Sequence, residues 1–104
     1  GQNGSTPATG PMLTIREAQM AMNDVPEFKG NVKAFRSDLL VDKDAERLST
    51  EKDPVMRERH KEELKQYAAD EAYHYYGSPI WYMRIGHAAG EAMLELMSAN
   101  RAQK

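Results

Sequence analysis

The run PVMRERHKEELKQYAADEAYHYY, Pro54 to Tyr76, is followed by Gly77 and Ser78 and then by PIWYMRIGHAAGEAMLELMSAN, Pro79 to Asn100. Both long runs carry helix-like periodicity, and the residues between them are those that stop one helix and start another. Glycine ends a helix in a left-handed conformation, serine caps the next one, and proline fits a first turn that needs no amide hydrogen. The reading is all-α: a small helical bundle, with two short N-terminal helices and a long C-terminal helical hairpin.

At about 100° per residue, the last helix is apolar over nearly half its circumference, from Ile85 and Leu96 through Met93, Gly86, Met97 and Gly90 to Met83 and Leu94. A face that wide exceeds what one neighbour covers. Each hairpin helix would span about 33 Å at 1.5 Å per residue, so the N-terminal helices end to end, or a second copy of the chain, would have to complete the cover. Met93 and Leu94 lying in water on an isolated molecule would overturn this packing.

Upstream, residues 1–11 are almost wholly Gly, Ser, Thr, Pro, Asn, Gln and Ala, with nothing large to bury. Ordering them would cost entropy without return, so they read as a disordered tail ahead of a single helical domain over 12–104. Thr14 and Glu17 have capping-box spacing, and Ile15, Ala18, Met22 and Val25 share one side of a short helix that Pro26 ends. Phe28, Val32, Phe35 and Leu39 then form a narrow stripe that predicts a second helix. Gly30 lies nearly opposite that stripe, where it weakens a helix by about 1 kcal/mol and has no evident purpose.

The segment from Val41 to Asp53 is charged, with Ala45 and Leu48 as its later apolar anchors, and reads as a connection or one short turn. Its Asp42, Asp44 and Glu46 superficially resemble a calcium loop, but Arg47 stands where the turn needs glycine and Asp53 where a bidentate glutamate belongs. Asp53 instead caps the next helix, with Pro54 at its start. Pairs such as Glu58 with Lys61 and Glu62 with Lys65 would lie one turn apart along it.

Composition narrows function mainly by exclusion. The 104 residues carry 14 Lys and Arg against 16 Asp and Glu, interspersed, for a net charge of −2. That is no footprint for phosphate neutralisation, so nucleic acid is not an expected partner. No apolar run is long enough to cross a bilayer, so no membrane partner is expected either. The absence of cysteine removes disulfides, thiolate nucleophiles and sulfur-rich zinc sites, and is compatible with a cytoplasmic location. There is no glycine-rich phosphate loop and no apparent Ser-His-Asp arrangement, so an enzyme is not the expected class.

Two features carry chemistry. Glu71 and His74 have the Glu-x-x-His spacing by which one helix offers two ligands to a divalent transition metal, as in carboxylate-bridged dimetal bundles. Such a bundle needs a second copy of the motif and two further inward glutamates, which this chain lacks, whereas Glu91 and Glu95 project to the polar side. A structural network joining Glu71 to His74, a tyrosine or Arg84 is the alternative. His60 reads as a rim residue, and His87 as an exposed partner of Glu91.

The second feature is a surface for association. Gly86 and Gly90 leave a smooth strip that serves either a dimer seam or tight packing inside the chain, and Met93 and Met97 add adaptable apolar area. Trp81, Tyr73 and Tyr76 lie off the apolar stripes and read as contact anchors or as a cover for the turn at Gly77 to Pro79. The leading expectation is a non-enzymatic homo-oligomer, or a subunit for a protein partner, with no cofactor. A metal-binding bundle completed by dimerisation and an oligomeric small-ligand binder are the alternatives.

Overall fold

The computed structural model describes residues 9–66, 68 and 72–102. Among them all regular structure is helical, with α1 at Gly10–Ala21, α2 at Lys43–Ser49, α3 at Pro54–Leu64 and α4 at Pro79–Ala102, joined by short 3-10 turns. The all-α class therefore holds. The described residues fall into two compact units, one within 37–85 and the other made of 9–36 with 86–102. The first eight residues of the expected tail lie outside the described residues, but Gly10 and Pro11 already belong to α1.

The first unit holds the core: Val41, Ala45, Leu48, Leu64, Tyr76 and Trp81. What reads in sequence as a charged connection is here a helix of two turns. Asp42 caps α2 by accepting from the backbone N–H groups of Asp44 (3.1 Å) and Ala45 (3.2 Å). Asp44 and Glu46 then favour the positive end of the helix dipole. Ala45 and Leu48, one turn apart, face inward, and α2 packs against α3 and against the 72–77 segment. A helix this short is held by that packing and not by propensity.

α3 begins as expected, with the Asp53 carboxylate accepting from Val55 N–H (3.0 Å) and Met56 N–H (2.9 Å) ahead of Pro54. It ends at Leu64, however, well before Tyr76. Tyr75 and Tyr76 adopt left-handed backbone, φ 52° and 56°, at about 1–2 kcal/mol each for residues with a Cβ. Their rings account for this: Tyr76 is buried, Tyr75 meets Trp81 edge-on at 5.0 Å, and Tyr76 lies 5.9 Å from Trp81. Burying these aromatics outweighs helical continuity, so the two-rod hairpin is not present as drawn from sequence. Gly77, at φ 60°, is left-handed as expected.

The second unit contains α1, residues 22–36 and the end of α4. Residues 28–39 do not form the expected helix. Pro26–Phe28 and Ser37–Leu40 are 3-10 turns, and 32–36 has no regular structure. Asn23 holds this stretch by donating to Ala34 O (2.9 Å) and accepting from Ala34 N–H (2.7 Å). Gly30 is buried at φ 86°, and its carbonyl accepts from Asn100 Nδ2 (3.1 Å), which supplies the purpose that a helical reading could not. Lys33 Nζ pairs with Glu95 Oε2 at 2.8 Å. Among the described residues, no helix is long and apolar enough to cross a membrane.

Candidate association surface

Trp81 is not a surface anchor. It is fully buried in the first unit, its indole N–H donates to Ser37 O (2.9 Å), and its backbone N–H donates to Ser78 Oγ (3.2 Å). Tyr76 is buried beside it. The side chain of Tyr73 lies outside the described residues. The tyrosine and tryptophan set expected to contact a partner thus includes two residues that build the core.

The metal reading loses its geometric basis at His74. Glu71 lies outside the described residues, while His74 is exposed and has non-helical backbone (φ −110°, ψ 39°), so helical spacing does not apply to it. Its carbonyl accepts from Tyr82 OH (3.0 Å). Arg84, a candidate partner for Glu71, donates instead to Leu40 O (3.3 Å) and Val41 O (2.9 Å). Among the described residues, no group of three His, Asp or Glu side chains stands close enough to hold a metal. His60, read as a rim residue, is buried, with Nδ1 making no hydrogen bond but lying 3.8 Å from Glu51 Oε2. His87 and Glu91 are exposed neighbours at 3.8 Å.

The end of α4 presents a different picture from the one its large residues suggest. Within the second unit its inward residues are Ala88, Ala92, Leu96 and Ala99, with Ala92 buried and the others half-buried. Met93 and Leu94 are each 58 % exposed and Met97 is 45 % exposed, so the wide apolar face expected to be covered lies open. At about 100° per residue, Gly86, Gly90, Met93, Leu94 and Met97 occupy an arc of roughly 100° centred about 170° from the inward alanines. The helix is two-faced. Its smaller face turns inward, and its larger apolar face is open.

The glycines on that open face are not explained by packing inside the chain. A Cβ at Gly86 or at Gly90 would meet nothing within 4 Å. α1 adds to the exposed apolar surface of the same unit. None of its residues is buried, Ile15 of the expected inward face is 53 % exposed, and Met12, Arg16 and Met20 are half-buried in its place. Every buried apolar side chain of the described residues except Ala92 belongs to the first unit.

Asp42, which in sequence reads as one of an acidic triplet, and Ser78, which reads as a helix cap, are two further anchors. Both are buried, and they bond directly to each other (2.5 Å). An Asp two and three residues ahead of the amides it caps was legible in principle; its long-range partner was not.

Comparison with protein families, curated proteins and solved structures finds no match for this chain.

Proposed function

We propose that this is a non-enzymatic helical protein that works by association, most directly with a second copy of itself, through the second unit. One observation carries the reading: that unit has almost no apolar core of its own and leaves Ile15, Met93, Leu94 and Met97 in water. Ordering backbone costs about 1–2 kcal/mol per residue. Against this the unit sets polar ties worth about 1 kcal/mol each, and an exposed Lys33–Glu95 pair worth less. Burying the open face of α4 supplies the missing term, because methionine and leucine contribute about 1.5–3 kcal/mol each on full burial.

Gly86 and Gly90 support the same surface. Each weakens an isolated helix by about 1 kcal/mol relative to alanine, and close approach of another backbone is a physical reason to retain them. A helical bundle would then be completed between copies. The cysteine-free composition suits a reducing compartment such as the cytoplasm. Neither a metal-binding nor an enzymatic reading has comparable support.

Sedimentation equilibrium over about 1–100 µM tests the proposal, since that range brackets dissociation constants typical of modest interfaces. The expected result is a concentration-dependent dimer or higher oligomer that the double variant Met93→Lys, Met97→Glu converts to monomer. Trp81 fluorescence reports that the first unit stays folded. A strictly monomeric natural chain over the whole range would refute self-association.

A further inference from the structure

In the first unit, α2 and α3 enclose a half-open cleft of about 250 Å³, lined by Leu48, Ser49, Arg57, Lys61 and Leu64. Its floor is apolar, because Leu48 and Leu64 are core residues with only their outer edges reachable. Its wall carries two cations, Arg57 and Lys61, one helical turn apart on α3. A cleft with a greasy base and positive wall is not what core packing alone requires.

The charge state of that wall is informative. Arg57 uses Nε to donate to Glu51 O (3.1 Å) and one terminal nitrogen to donate to Lys52 O (3.3 Å). These bonds hold the guanidinium in place but do not neutralise it, since both acceptors are carbonyls. A guanidinium has five N–H donors, so others remain for a ligand. Lys61 was expected to pair with Glu58, yet no described carboxylate is recorded within 4 Å of its ammonium or of the Arg57 guanidinium, although the Lys61 charge does act on its neighbour Glu62. Glu62, by contrast, does find Lys65 at 2.8 Å.

We infer that this cleft binds a small amphipathic carboxylate, its apolar stem against Leu48 and Leu64 and its head group between Arg57 and Lys61. The guanidinium fork matches a carboxylate in shape, and the nearby ammonium adds a movable point charge. The small volume excludes large ligands and suits a stem of several carbons. The inference is independent of self-association, because all five lining residues belong to the first unit and none lies on the open face of α4.

Octanoate is the probe, with 1-octanol as the uncharged stem and acetate as the bare head group, each titrated into the full chain while the Leu48 and Leu64 methyl resonances are followed. Saturable octanoate shifts with Kd on the order of 0.1–1 mM are expected. Octanol and acetate should bind at least about tenfold more weakly, Lys61→Gln should weaken octanoate at least about fivefold, and Lys61→Arg should restore it. Lys61 is exposed, so these variants keep the fold. Equal binding of octanol or acetate, an unaffected Lys61→Gln variant, or the absence of saturable shifts at Leu48 and Leu64 up to about 10 mM would each overturn the assignment.

Discussion

Asp42 and Ser78, 36 residues apart in the chain, tie the starts of two helices to each other. Asp42 Oδ1 accepts from the first turn of α2 while Oδ2 accepts from the Ser78 hydroxyl, and Ser78 Oγ in turn accepts from Trp81 N–H in the first turn of α4. Each residue satisfies a helix terminus and the other residue at once. Asp42→Ala removes a cap and orphans a buried hydroxyl, so it is expected to destabilise by about 2–4 kcal/mol, and Ser78→Ala by about 1–2 kcal/mol. The double variant should fall short of the sum by about 1 kcal/mol, as for contacting residues. Urea unfolding followed by Trp81 fluorescence measures all three.

Trp81 extends this junction into the core. Truncation to alanine leaves a large void and abandons the Ser37 carbonyl, for an expected loss of about 3–5 kcal/mol. Trp81→Phe keeps most of the apolar volume and loses the indole donor, so about 1–2 kcal/mol is expected. Thermal unfolding by circular dichroism separates the two. A residue serving only as a partner contact would show neither loss.

Local chemistry was legible in the sequence wherever a short pattern decided it. Asp53 with Pro54, Ser78 with Pro79 and the left-handed Gly77 are all as their residue types imply. What periodicity missed was competition between residues at a distance. Tyr75 and Tyr76 have acceptable helical spacing, but burial beside Trp81 turns their backbone left-handed. Phe28, Val32, Phe35 and Leu39 have a helical stripe, yet Gly30 and the Asn23–Ala34 bonds commit that stretch to turns. On α4, the large residues marked the wider apolar face, whereas the chain turns in the alanine edge, which permits closer packing. Met93, Met97, Gly86 and Gly90 could be picked out in sequence; their exposure could not.

Glycines on opposite sides of this distinction should respond oppositely to alanine. Gly30 has φ 86°, and a Cβ there would lie 2.9 Å from Asn100 Oδ1, whose amide cannot swing away without releasing the Gly30 carbonyl. Gly30→Ala is expected to destabilise by about 1–2 kcal/mol. Gly90 has open space around it, so Gly90→Ala should stabilise the monomer by up to about 1 kcal/mol. Gly90→Leu should leave the helix intact while weakening self-association, read by unfolding and sedimentation together.

The acid limb of the stability curve should depend on Glu51. Its carboxylate accepts from Asp53 N–H (3.0 Å) and Lys52 N–H (2.8 Å), and these bonds, with the nearby His60, hold its pKa below the ordinary 4.5. The Lys65 ammonium does the same for Glu62. For a group whose folded pKa is depressed, the stabilisation is present above the unfolded pKa and is lost as pH falls through the folded one. Stability should therefore decline below about pH 4.5, and Glu51→Gln should flatten that decline while leaving its position in the loop intact. Melting temperatures recorded from about pH 6 down to about pH 2 for the natural chain, Glu51→Gln and Glu62→Gln check this. An acid limb that neither substitution alters would show that these two carboxylates make no net contribution to folding.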